Sequence, residues 1–178
     1  MVKKSLGLSS LFTLVLGFAF SAASVGAQAL PASQTFVDFH TADFSLQVPE
    51  GWKLSTNAQG TLFLSQLNGL SIRVETTKET SLDKAVHAAL QRLSTGVNNL
   101  SIRSNSSVSF GPNQGLKIEF TCDSLPSQAT GASVNLENQV YYWLKGDRFV
   151  ELRLWSPMGS DNGDPWTKIA QSLRLTGS

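Results

Sequence analysis

Apolar and polar residues alternate along several stretches of this chain. Phe44, Leu46 and Val48 alternate with Ser45 and Gln47. Leu100, Ile102, Val108 and Phe110 alternate with Ser101, Arg103 and Ser109, and Leu116, Ile118 and Phe120 with Lys117, Glu119 and Thr121. A period of two sends successive side chains to opposite faces, so each stretch predicts a half-buried strand. Two hairpins are marked. In residues 61–76 the centre is Asn68-Gly69, a pair that tolerates the positive φ angles of a tight hairpin turn. Pairing outward from it sets Leu67 opposite Leu70, Ser65 opposite Ile72 and Phe63 opposite Val74. The second hairpin, residues 140–155, turns at Gly146-Asp147 and sets Trp143 opposite Val150 and Tyr141 opposite Leu152. Its other face is apolar too, with Val140, Tyr142, Leu144, Phe149 and Trp155 broken only by Glu151 and Arg153. Strands with two apolar faces need cover on both. Helices or the N-terminal segment can supply it; otherwise Tyr142, Leu144, Phe149 and Trp155 are the candidate partner-binding residues.

Two segments have helical period. In residues 81–95, Leu82, Ala85, Val86, Ala89, Leu90 and Leu93 form one stripe. Thr80-x-x-Asp83 has the spacing of a capping box and Gly96 is a stop signal. A second helix is expected to start with Asp164 as N-cap and Pro165 at its first position, and to bury Trp166, Ile169, Ala170 and Leu173. Segments 125–133 and 157–164 are the expected exposed loops. The sum is an α+β domain with an antiparallel sheet of about six to eight strands.

The first 29 residues change the picture of where this domain works. Lys3 and Lys4 precede the apolar run Leu11–Phe20, and small residues lead to Ala27-Gln28-Ala29. The run is about half of the ~20 residues that a membrane span needs. It reads as a signal peptide cleaved after Ala29, with Ala27 as a second site, leaving residues 30–178 as one domain. The expected destination is periplasmic or extracellular, as a soluble protein without a transmembrane anchor. The only cysteine, Cys122, lies far from the cleavage point, which excludes a lipoprotein and an internal disulfide. Cys122 continues the apolar phase of Leu116, Ile118 and Phe120, and so is expected to be a small buried hydrophobe.

The 14 Lys and Arg balance 13 Asp and Glu, and two of the lysines belong to the leader. A domain this close to neutral carries no electrostatic footprint for nucleic acid.

Two stretches resemble a known family. The strand and turn Phe44-Ser-Leu-Gln-Val-Pro-Glu-Gly-Trp52 and the closing helix Trp166-Thr-Lys-Ile-Ala-Gln-Ser-Leu-Arg-Leu175 are similar to the two ends of the PsbP-like superfamily. That group includes photosystem II extrinsic proteins of the thylakoid lumen, bacterial exported proteins and a Ran-binding nuclear protein. The resemblance covers roughly residues 36–175. It implies an antiparallel sheet sandwiched by helices and a domain that docks on or assists another protein. It carries over no ion site and no catalytic residue. On their own terms Pro49 ends the strand, Gly51 allows the turn and Trp52 is expected to anchor the core.

Candidate chemistry is sparse. His40 lies near Asp38 and Asp43, a pairing that can orient a base, but no Gly-x-Ser-x-Gly elbow accompanies it. His87 falls beside the apolar stripe of its helix. Asp161, Asn162 and Asp164 are oxygen ligands around a glycine and form the best calcium candidate, although the spacing is not that of a helix–loop–helix site. No cofactor is expected. The leading expectation is a non-catalytic protein-binding or assembly module whose partner is another envelope or secreted protein. A small-ligand or calcium-binding protein is the alternative, and a hydrolase using His40 a distant third.

Overall fold

The computed structural model describes residues 34–110, 113–127 and 129–176; the predicted signal peptide lies outside them. Twelve elements follow in the order β1 (Phe36–His40), β2 (Phe44–Pro49), β3 (Lys53–Asn57), β4 (Gly60–Ser65), β5 (Asn68–Thr76), α1 (Leu82–Gly96), β6 (Asn98–Phe110), β7 (Asn113–Asp123), β8 (Asn135–Lys145), β9 (Arg148–Pro157), α2 (Gly163–Ser172) and β10 (Arg174–Leu175). Seven strands form an antiparallel sheet in the order β3-β4-β5-β9-β8-β7-β6. The strand of Phe44, Leu46 and Val48 does not join it: β1, β2 and β10 make a separate antiparallel sheet of three.

The large sheet is the middle layer. On one side α1 buries Ala85, Val86 and Ala89 against Ile118, Phe120, Val140, Tyr142 and Phe149. On the other, α2 and the small sheet bury Trp166, Ile169, Leu46 and Val48 against Leu70, Ile72, Val150, Leu152 and Leu154. Both faces of the β8–β9 hairpin are therefore covered by the chain itself. Its register is as expected, Trp143 to Val150 and Tyr141 to Leu152. Of the candidate partner-binding residues, Tyr142, Phe149 and Trp155 are buried and Leu144 is half-buried. They form part of the floor under α1 and are not a free surface.

The first hairpin differs from expectation. Ser65 pairs with Asn68, Leu64 with Gly69 and Phe63 with Leu70, so Gln66-Leu67 is the tip and Gln66 takes the positive φ, 52°. The turn centre moves back by two residues and the pairing by four, from Val74 to Leu70 opposite Phe63; an even slip keeps Phe63, Leu70 and Ile72 on one face. The reason lies across the sheet. Gly69 is the register partner of Trp155, and a Cβ on Gly69 would collide with the Trp155 ring, 2.1 Å from its Cζ2. Gly69 is needed as a bare seat within β5, so it is not spent on the turn. Gly115 seats Trp143 in the same way on β7.

Both helix starts also shift. The N-cap of α1 is Ser81, whose hydroxyl accepts from Lys84 N at 3.4 Å, in place of Thr80. The N-cap of α2 is Asn162, in place of Asp164. Asp164 sits instead in the first turn, where its charge favours the positive end of the helix dipole. Trp52 is half-buried at the rim of the core and does not anchor its centre. No helix among the described residues is long and apolar enough to cross a membrane.

Under α1 the apolar floor is interrupted by charges. Glu75 on β5 pairs with Arg73 at 2.5 Å and with Arg92 of α1 at 3.0 Å. Glu151 lies across from Arg73 on β9, and burial pushes its carboxyl up despite Arg153, Arg92 and Arg73 nearby. A carboxyl whose pKa rises on folding favours the fold while protonated and opposes it as pH climbs through the folded value. Glu151→Gln is therefore expected to gain stability relative to the parent between about pH 4 and pH 7. Urea unfolding at the two pH values checks this; a constant difference would show that Glu151 ionises in the fold without cost.

Candidate functional site

The chemistry noticed around His40 gathers in one place. In β1, Asp38 and His40 are two residues apart and share a face. They pair across to Gln47 and Ser45 of β2, and Ser45 in turn pairs with Arg174 of β10. All five lie on the outer face of the small sheet, because the alternate residues Phe44, Leu46 and Val48 are buried beneath it. The last turn of α2 runs alongside, tied on by a hydrogen bond from Gln47 N to Ser172 Oγ at 2.8 Å. There the helix end takes the place of a strand and satisfies the donor that β10 is too short to meet. Together these elements enclose an open cleft of about 440 Å³, lined by Asp38, His40, Ser45, Leu46, Gln47, Lys168, Gln171, Ser172 and Arg174.

Its polar groups are held in place. Gln47 Nε2 donates to Asp38 Oδ1 at 3.2 Å. The Lys168 ammonium lies 4.1 Å from the centre of the Phe36 ring, a cation–π contact. Arg174 Nη1 donates to Gln171 O at 2.7 Å and Leu173 O at 2.9 Å, capping the carbonyl end of α2. Ser172 Oγ is committed to structure, accepting from Gln47 N and donating to Ile169 O at 2.6 Å. Among the described residues no side-chain hydrogen bond joins His40 to Asp38 or Ser45. The arrangement offers cations, amides and hydroxyls to a ligand, without a base aligned on a nucleophile.

The other candidates are dispersed. Asp43 faces away from His40 and pairs with Arg148 at 3.1 Å. His87 is exposed on α1 beside Gln91. Of the calcium candidates, Asn162 is buried as the helix cap while Asp161 and Asp164 are exposed, so the loop splits the three. Among the described residues no cluster of three or more His, Cys, Asp or Glu side chains can hold a metal. Cys122 is buried, and its thiol is pushed up by burial although the Arg153 guanidinium opposes this. Arg153 donates through Nε and Nη2 to Asn138 Oδ1, and it lies over the Phe120 and Trp155 rings. That trio is a packed interior link.

A second polar strip crosses the open end of the large sheet. Glu119 accepts from Ser104, Lys117 and Gln139, and these bonds hold its carboxyl below the usual range. Tyr141 donates to Gln139 at 2.9 Å, and burial pushes its phenol up to about 12.

Sequence reasoning found His40 and Asp38 but missed Gln47, Lys168, Gln171 and Arg174. Lys168 and Gln171 read only as the polar side of an amphipathic helix, and nothing local places them beside β1.

No protein-family model matches the sequence, and no curated protein matches it. The fold is shared more widely. A crystal structure from Bacteroides thetaiotaomicron superposes with a TM-score of 0.53 at 14% identity, over 76% of this chain and 46% of that one. The present chain thus spans about half the length of that protein. Cyanobacterial PsbP (CyanoP) of Synechocystis sp. PCC 6803 gives 0.54 at 12% identity, over 88% and 98% of the two chains. The Saccharomyces cerevisiae Ran-binding protein Mog1p gives 0.54 at 10%, over 80% and 96%. At such identities the likeness is one of fold: the chain has a PsbP-like α+β fold, with the antiparallel sheet between helices.

Proposed function

We propose that this protein is an exported, non-catalytic module that binds or helps assemble another protein of the cell envelope, and that the cleft over the small sheet is its recognition surface. The observation that carries this reading is the cleft itself: eight of its nine lining residues are polar or charged. Its volume suits a small molecule, but small-molecule pockets are mostly apolar and enclosed. An open polar concavity beside a helix end matches a protein surface better. A fold shared with a Ran-binding protein supports the same reading, though fold alone does not carry function. Export rests on the leader, with residues 30–178 as the working domain.

A photo-crosslinking amino acid at Gln171, on the cleft wall, tests the proposal in whole cells of the source organism. The expected result is a discrete protein adduct in the envelope fraction, absent when the crosslinker stands at Lys84 on the far side of the molecule. No adduct from Gln171, or the same adduct from Lys84, would remove the cleft as a recognition surface. Recovery of the chain with Met1 still present would remove export.

A further inference from the structure

We infer that the cleft receives an acidic segment of the partner, with Lys168 and Arg174 as the groups that take its carboxylates; this rests on the cleft being the recognition surface. Two cations and one carboxylate, Asp38, line the cleft, beside His40. Among the described residues the ion pairs are Arg73 and Arg92 with Glu75, Lys117 with Glu119 and Arg148 with Asp43. Neither Lys168 nor Arg174 is neutralised in this way.

Both are nevertheless positioned. The Phe36 ring holds the Lys168 ammonium at 4.1 Å without cancelling its charge. Backbone carbonyls hold one terminal nitrogen of Arg174, which leaves the rest of the guanidinium edge for an incoming oxygen. A cation fixed in advance loses less entropy on binding. The occupant is a peptide and not a compact phosphate for a reason of geometry. The helix end at the cleft is the C-terminal one, which lacks the cluster of free backbone N–H groups with which helix N-termini bind a compact phosphate. Carboxylates spaced along an extended segment can reach the two cations one at a time and avoid Asp38.

The test is a titration of the purified ¹⁵N-labelled protein with a hexaglutamate peptide, followed by backbone amide shifts. The inference expects shifts at Ser45, Gln47, Gln171 and Arg174 that weaken with added salt, and none with hexaglutamine. Lys168→Glu, at an exposed position, is expected to lower the affinity at least tenfold, and Arg174→Gln to lower it as well. Equal binding of hexaglutamine, shifts elsewhere, or an unchanged affinity for Lys168→Glu would overturn the inference. Inorganic phosphate that reproduces the same shifts at the same affinity would overturn the peptide as occupant. The crosslinked adduct separates this inference from the broader reading. If it survives in Lys168→Glu cells, the charge argument falls while partner binding stands; if it is lost with that substitution, both are supported.

Discussion

Replacing Gly115 by valine is expected to cost about 3 kcal/mol or more, at the upper end of what overpacking a core removes. Gly115 is directly across from Trp143 in the β7–β8 ladder. A Cβ there would lie 2.5 Å from the Tyr142 carbonyl oxygen and 2.7 Å from Trp143 Nε1. The carbonyl belongs to a central strand and cannot withdraw without breaking its ladder. Nor can the ring, since Trp143 is buried, stacked on Tyr141 at 5.8 Å and packed against Phe110. The midpoint of thermal unfolding should fall by roughly 6–12 °C for a domain of this size, and the urea midpoint should fall with it. Gly96→Ala, at the last position of α1, serves as the contrast: a Cβ there meets nothing within 4 Å, so the change should stay within about 0.5 kcal/mol of the parent. A Gly115→Val protein as stable as its parent would mean that Trp143 is not seated on β7.

Ile169→Ala is expected to cost about 2–5 kcal/mol, the range for deleting a large aliphatic side chain from a close-packed interior. Ile169 is fully buried on the inner side of α2, with Trp166, Ala170 and Leu173. The same helix carries Lys168, Gln171 and Ser172 into the cleft, so loosening its inner face should also disturb the recognition surface. Amide shifts in the variant should spread to Gln47, whose backbone donor is held by Ser172. Lys168→Ala, one residue away but exposed, should stay within about 0.5 kcal/mol of the parent. Urea unfolding of both variants decides the matter. Equal losses would contradict the docking of α2 by that face.

Much of the scaffold was readable from local pattern. The β8–β9 hairpin was legible down to its register, because Gly146-Asp147 marks the turn and greasy residues on both strands leave no competing alignment. The stripe from Leu82 to Leu93 announced α1, and the phase of Cys122 announced its burial. The strand and turn Phe44–Trp52 and the helix Trp166–Leu175 carried a resemblance that the fold confirms. The β4–β5 hairpin was not legible in the same way. Alternation specifies which face a residue occupies, and registers that differ by any even number of residues, here four, satisfy it equally well. The choice between them was made by Trp155, which lies 86 residues further along the chain than Gly69 and needs that glycine beneath its ring.

The limits of the helices depended on hydroxyl, amide and carboxylate groups one or two positions apart, all chemically fit to cap; only the folded backbone chose Ser81 and Asn162. The cleft was less legible still. Each of its residues is ordinary where it stands in the sequence: a histidine at a strand end, a lysine on the polar side of a helix, an arginine after it. Alternating polarity by itself determined that there would be strands, a stripe-faced helix and a two-sided core. Which edge β2 would join, and therefore which polar residues would face His40, was decided by packing alone. The hydrogen bond that closes the cleft links Gln47 to Ser172, a contact that no short-range pattern encodes. It forms only because burying Ile169 and Trp166 brings the end of α2 to the side of β2.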